Sequence, residues 1–233
     1  MRQAVTIAAR DLRATYVSAF GVGCTAAFAA LAGVLLVFDL RGNQARLDLW
    51  FSSLFVALGL LAALLTQRAF AEEERSGTLE LLLTSPVRFW QVALGKLLGV
   101  AGVLLAAIAA TIVCPLLVAS MGNPDGGPVV TGYIGLVLVG VGFLALGLAV
   151  SSATPNPLVA AAGTAGVLVA LWLAGVLAGG LGGRLHVVLQ YLSPTSHVTG
   201  FLRGTLAVTD VAYFLSMTVV GLVGVIAVLG RRR

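Results

Sequence analysis

"LLGVAGVLLAAIAATIVCPLLVA", Leu97 to Ala119, carries no charged side chain. At about 1.5 Å of rise per residue, a helix of this length covers a hydrocarbon core about 30 Å thick. In hydrocarbon the backbone must pair its own N–H and C=O groups, which a helix does along its whole length. The stretch therefore reads as a membrane span, with Pro115 expected to bend it. Working outward, five more apolar runs of this kind appear: Val17 to Phe38, Leu49 to Thr66, Gly132 to Val150, Leu158 to Gly180 and Val211 to Leu229. Of the 233 residues 59% are hydrophobic and only 10% charged, with a mean hydropathy of +1.05, whereas about a quarter of the residues of a soluble domain are charged. The expected fold is all-α: a polytopic membrane protein with six transmembrane helices, in one domain over residues 1–233.

An A-x-A pattern at Ala27 and Ala29 could pass for a secretory cleavage site, but the apolar run continues to Phe38, so the segment is read as a span. The basic residues then set the orientation. With the N-terminus inside, the cytoplasmic side receives Arg2, Arg10, Arg13, Arg68, Arg75, Arg88, Lys96 and Arg231 to Arg233, and the outside receives Arg41, Arg46, Arg184 and Arg203, ten against four. The positive-inside rule then places both termini in the cytoplasm of a multi-pass protein; the expected location is a bacterial inner membrane. The net charge of +5 is spread along span ends and forms no basic patch interleaved with aromatics, so no nucleic-acid partner is expected. Cys24 and Cys114 fall inside spans as small apolar residues, with neither disulfide nor metal-ligand spacing.

Outside the spans lie polar or mixed segments, with "DLRGNQARLD", Asp39 to Asp48, read as a short outer loop. In "MRQAVTIAARDLRATY", residues 1–16, Val5, Ala8, Ala9, Leu12 and Tyr16 share one helical face and Arg2, Thr6, Arg10 and Arg13 the other. This predicts an amphipathic helix in the interface plane, its arginines reaching to headgroups or a soluble partner, or serving only as a topology anchor. Immediately before the opening stretch lies "EEERSGTLELLLTSPVRFWQVALGK", Glu72 to Lys96. Here Glu73, Ser76, Gly77, Glu80 and Thr84 line one helical face and Leu79, Leu82 and Leu83 the other. Pro86, after Ser85, stops the helix, and Arg88, Trp90 and Lys96 are expected at interfacial depth. A membrane-held helix showing carboxylates to the cytoplasm suits a soluble partner; the plain alternative is a solvated turn. "MGNPDGGPVVT" reads as a connector and "SSATPNP", Ser151 to Pro157, as an uncharged turn. The segment 181–210 is too polar to span and too apolar for an ordinary loop. Ser193 and Pro194 form an N-cap and first-turn pair, and Val198, Phe201, Leu202 and Leu206 recur at helical spacing, so two short re-entrant helices in the outer leaflet are expected.

Two of these segments carry a resemblance. "EEERSGTLELLLTSPVRFWQVALGK" is similar to the first cytoplasmic loop of type-2 ATP-binding-cassette export permeases: an acidic lead, Gly-Thr-Leu-Glu, a leucine cluster, Ser-Pro and a later Gly-Lys. "LSPTSHVTGFLRGTLAVTDVAYFL", Leu192 to Leu215, resembles the late segment of the gliding-motility and nitrous-oxide-reductase-maturation branch. The resemblance implies a permease subunit that pairs with a second permease subunit, as a homo- or heterodimer, and with two cytoplasmic ABC ATPase subunits. Those subunits would bind ATP and magnesium, and this chain would carry no cofactor. It also implies a coupling helix at 72–86, with Glu72, Glu73, Arg75, Ser76, Gly77, Thr78, Glu80, Leu83, Thr84, Ser85 and Pro86 as the ATPase-coupling residues. The outer re-entrant segment would comprise Ser193, Pro194, His197, Arg203 and Gly204. "SSATPNP" lacks the charges often found in the family's second cytoplasmic turn, which leaves that turn no evident part in docking.

Other chemistry is excluded or left open by the residues themselves. A phosphate-binding G-x-x-x-x-G-K-[ST] loop is absent: at the one Gly-Lys, Gly95-Lys96, Trp90 replaces the first glycine and Leu97 the hydroxyl residue. The chain is thus not expected to be an ATPase. The six spans hold no Asp, Glu, Lys, Arg or His, which argues against ion coupling and for a lipid-like or amphiphilic substrate, or a path lined by small and hydroxyl residues. His186 and His197 without partner cysteines or carboxylates nearby in sequence are a weak metal signal, so no metal ligand is assigned. Arg203 is either an interfacial anchor or a contact positioning an outer gate. Gly95 and Gly99, Gly175 and Gly179, and Gly200 and Gly204 are spaced for close helix approach; by resemblance the dimer seam would lie near spans one and five. The functional expectation is an exporter permease. The alternatives are a non-transporting structural subunit of a motility or maturation complex, and a heme-export-type permease.

Overall fold

The computed structural model describes residues 2–17, 19–40, 47–77, 88–122, 125–180 and 182–231. Within them lie eleven helices and no strand: α1 (Arg2–Val17), α2 (Ala19–Leu40), α3 (Asp48–Thr66), α4 (Ala71–Arg75), α5 (Phe89–Ala110), α6 (Val113–Met121), α7 (Gly126–Ser152), α8 (Pro157–Ala178), α9 (Gly183–Leu192), α10 (Pro194–Leu202) and α11 (Val208–Gly230). Six helical stretches are long and apolar enough to cross a membrane, Ala19–Leu40, Asp48–Arg75, Phe89–Met121, Gly126–Ser152, Pro157–Ala178 and Val208–Gly230, so the chain is a multi-pass membrane protein.

Span ends differ from the apolar runs because helices stop where backbone hydrogen bonds stop, not where hydropathy falls. α7 begins inside the expected connector: Gly126, Gly127 and Pro128 form its first turn, where a missing proline N–H leaves no bond unmade. α5 starts at Phe89, so the whole of "FWQVALGK" is helical, with Gln91 Oε1 accepting from the Arg88 N–H at 3.1 Å. Pro115 divides the third span. It offers no N–H to the Thr111 carbonyl, so α5 ends at Ala110, a turn follows, and α6 resumes at Val113. The Cys114 N–H bonds the freed Thr111 carbonyl at 2.9 Å, and Thr111 Oγ1 donates to the Ile108 carbonyl at 2.7 Å and lies 3.2 Å from Tyr133 Oη.

α7 is the hub, touching α3, α5, α8, α10 and α11. Leu136, Val139, Leu144 and Leu148 are buried along it, meeting Leu54 and Leu58 of α3, Leu104 of α5 and Phe214 of α11 in one core cluster. Small residues allow this: α11 crosses where Gly221 lies on the Ala145 backbone, with no room for a Cβ. Trp50 Nε1 donates to the Ala32 carbonyl at 2.8 Å and fixes α3 to α2. The first, fifth and sixth spans are peripheral, burying only 28%, 22% and 28% of their apolar windows against 61% for the second and fourth.

The two short helices expected before the last span are present as α9 and α10. Pro194 takes the first helical position after Ser193, whose Oγ engages Thr195 Oγ1 at 2.7 Å. α10 buries Pro194, His197, Val198 and Phe201, while Leu206, expected on the same face, lies beyond the helix and is exposed. The reason is Gly204, at φ +80°. The Thr205 N–H returns to the Gly200 carbonyl at 3.0 Å and the Gly204 N–H to the Phe201 carbonyl at 3.3 Å, a Schellman stop that needs a left-handed residue. The Arg203-Gly204 pair is thus a helix terminator, with Arg203 at the C-cap and exposed.

Candidate functional site

The chemistry-bearing residues gather where α1, α4 and α5 meet. α1 presents the expected face in part, with Ala8, Leu12 and Tyr16 half-buried. Its inward stripe is Ala4, Ile7, Ala8, Asp11, Leu12 and Thr15, and Val5 and Ala9 point away. Its partner is a glycine row on α5. A Cβ at Gly95 would lie 2.9 Å from the Ala4 carbonyl oxygen and Ile7 Cβ, and one at Gly99 3.1 Å from Asp11 Cβ. The Gly95 and Gly99 spacing therefore serves an intramolecular contact that brings α1 down onto the third span.

That contact delivers Asp11 to Lys96. Lys96, expected at interfacial depth, is only 3% exposed; its Nζ lies 2.7 Å from Glu73 Oε1 and 3.2 Å from Asp11 Oδ2. Arg10 completes the set, with Nη2 3.0 Å from both Glu73 Oε1 and Asp11 Oδ1. The Phe70 ring centroid is 5.2 Å from Lys96 Nζ. Among the described residues, two cations and two carboxylates from three helices meet here, each cation beside a carboxylate. Burial works against the charge on Arg10, yet Asp11 and Glu73 outweigh it and raise the guanidinium above its ordinary value.

Glu73 therefore faces inward. Glu72 and Arg75 are exposed on the outer side of α4. The helix expected from Glu73 through Thr84 does not run unbroken: α4 ends at Arg75, Ser76 caps it, and Gly77 takes φ +72°, its N–H bonding the Glu74 carbonyl at 3.1 Å. Ser76 and Gly77 thus leave the helical face that Glu73 occupies. Thr78, Glu80, Leu83, Thr84, Ser85 and Pro86 lie outside the described residues.

At the opposite end of the bundle the other singled-out residues form a second cluster. His197 Nδ1 lies 2.8 Å from Asp210 Oδ1 and Nε2 3.1 Å from the Tyr191 carbonyl oxygen, so both ring nitrogens face acceptors; a neutral ring donates to one of them and an imidazolium to both. The ring stacks on Tyr213 at 4.1 Å, and Tyr213 Oη donates to the Leu192 carbonyl at 2.6 Å. Thr131 Oγ1 donates to the Phe201 carbonyl at 2.7 Å and ties α10 to α7. His186 Nδ1 engages the Ala178 carbonyl at 2.7 Å. Among the described residues no group of three or more His, Cys, Asp or Glu is placed to hold a metal ion. Gly175 lies against Ser193 and Thr195 of the same chain, and Gly200 against Asp210, so neither glycine is free for a seam with another subunit.

Beside this second cluster a half-open cavity of about 480 Å³ lies among α3, α7, α8 and α10. Phe55, Phe143, Leu168, Trp172 and Val198 wall it, with Ser52, Thr195 and Thr199 as its hydroxyls and no charged side chain in its lining.

Sequence reasoning missed the convergence on Lys96, although two signals were there. A lysine between glycines in an otherwise apolar helix calls for a carboxylate, and Asp11 is the one acid in the arginine-rich helix of residues 1–16.

Comparison with known proteins gives concordant results. A protein-family model described as "ABC-2 family transporter protein" matches residues 6–231. The "Probable multidrug ABC transporter permease YbhR" of Escherichia coli strain K12, and its counterpart in E. coli O157:H7, are each 27% identical over 155 residues. That alignment takes in 66% of this chain and 38% of each relative, so it spans well under half of the relatives' own length.

Proposed function

Because the chain belongs to the ABC-2 family of transporter proteins, we propose that it is the permease subunit of an exporter of lipid-like or amphiphilic molecules. It sits in a bacterial inner membrane with both termini cytoplasmic, beside a second permease subunit. Two cytoplasmic ATPase subunits, which bind the ATP and magnesium, drive it through the segment that starts at α4. α9 and α10 are its re-entrant outer helices.

The observation that carries this reading is the charged network at Lys96. A segment that receives force from a partner must be fastened to what it moves. α4 is fastened through Glu73 to Lys96 at 2.7 Å inside the third span, and through Arg10 at 3.0 Å to α1. Glu72 and Arg75 remain exposed on α4 for an outside partner. The uncharged cavity supports an amphiphilic cargo, and the relatives' name, a multidrug permease, agrees with a permissive apolar site. The exposed apolar faces of α2 and α8, including Val34, Phe38, Val169 and Trp172, leave room for a second subunit or lipid there.

The test is copurification with the partner ATPase. Glu72→Lys should weaken that association and the stimulated ATPase rate roughly tenfold while leaving the fold intact, since surface charge governs encounter and specificity. Wild-type association and rate in that variant would refute α4 as the docking element.

A further inference from the structure

α4 begins without a cap of its own. Its N-cap residue is Phe70, which has no side-chain acceptor, so the N–H groups at the helix start need one from elsewhere. It comes from another helix. Ser151, fully buried near the end of α7, places Oγ 3.3 Å from the Phe70 N–H and 3.4 Å from the Ala71 N–H, and donates at 3.5 Å to the Gln67 carbonyl where α3 ends. One hydroxyl thus fills the notch between α3 and α4. Four residues earlier a Cβ at Gly147 would run into Thr66 Oγ1 and lie 3.0 Å from Thr164 Cγ2 of α8, so there is no space for one. α4 also touches α8.

The turn from α7 to α8 is held as firmly. Thr154 Oγ1 accepts from the Asn156 N–H at 3.3 Å, and Asn156 Oδ1 accepts from the Leu158 N–H at 2.9 Å, capping α8 with Pro157 at its first position. We infer that Ser151 is a positioning residue that locks the α3–α4 corner to the α7–α8 turn, so that displacement of α4 is carried directly to the fourth and fifth spans. This rests on the reading of α4 as the driven element. It gives the uncharged "SSATPNP" turn a part in coupling that requires no docking charge: it is pulled from within the subunit.

The first arm of the test needs no ATPase. In the full chain in lipid nanodiscs, Ser151→Ala should speed amide exchange at Phe70 and Ala71 roughly tenfold, Ser151→Thr should restore protection, and Ser120→Ala, at an exposed hydroxyl, should change nothing there. Exchange in Ser151→Ala equal to wild type overturns the clamp. In the second arm the wild-type complex with its ATPase is trapped with nucleotide. Exchange should then change at α4 and at residues 153–156 together, and in Ser151→Ala at α4 alone. A change confined to α4 in the wild type overturns the relay. No nucleotide effect even at α4 overturns the coupling reading and the relay with it, and the first arm separates that failure from a failure of the clamp.

Discussion

Removing the Glu73 carboxylate tests the network where it is most buried. In Glu73→Ala, Lys96 loses its nearest partner, at 2.7 Å, and at 3% exposure has no route to water; Asp11 remains at 3.2 Å, and Arg10, with 58% of its side chain exposed, can turn outward. Leaving a buried charge unpaired costs about 3–5 kcal/mol, and with one carboxylate kept we expect about half of that, ~2 kcal/mol. For a chain of this size that is a fall in Tm of about 4–8 °C. The assay is thermal denaturation in detergent, read from the fluorescence of the three tryptophans. Lys96→Met, which keeps length and removes the charge, should recover most of the loss when combined with Glu73→Ala, because the two losses share one interaction. If the single variant melts with the wild type, or the double variant loses the sum of the single losses, the network does not hold α4 to the third span.

Two further outcomes follow from the same geometry. Gly99→Leu puts a branched side chain where even a Cβ meets Asp11 Cβ at 3.1 Å, so α1 should leave α5, seen as proteolysis within residues 2–17 and a lower Tm, while Gly23→Leu, in open space, should be silent. Gly204→Ala forces a Cβ into φ +80° and should cost about 1 kcal/mol of stability in the same melting assay, with no effect on ATPase association if α10 lies remote from the docking element.

The spans were legible because apolar runs long enough to cross a membrane have few other uses. Their ends were not, since Pro128 and Phe89 lie inside helices for reasons of backbone bonding that hydropathy does not register. α1 was recognisable as a helix, and Ala8, Leu12 and Tyr16 of its expected apolar face are half-buried, but the rotation that brings in Ala4, Ile7 and Asp11 follows the glycine row on α5. Glu73 was singled out as an outward-facing carboxylate, and the structure turns it inward. Periodicity placed it on an outward carboxylate face, while Gly77 ends that face early and Lys96, distant in sequence, claims the carboxylate. The Ser151 contact was invisible for a similar reason. A hydroxyl that caps a helix from eighty residues away leaves no local pattern, since the usual sign is an acceptor at the N-cap itself, where this chain has Phe70.

The interruption of the third span at Thr111 and Ile112 means that this membrane crossing is articulated. Lys96 and the α1 contact belong to the limb on one side of the joint, and the α6 stub belongs to the other. On the proposed coupling reading, a swing of the first limb would be taken up at the proline instead of tilting the entire crossing. Movement destined for the far surface would then travel by α7 and α8, which are unbroken from end to end.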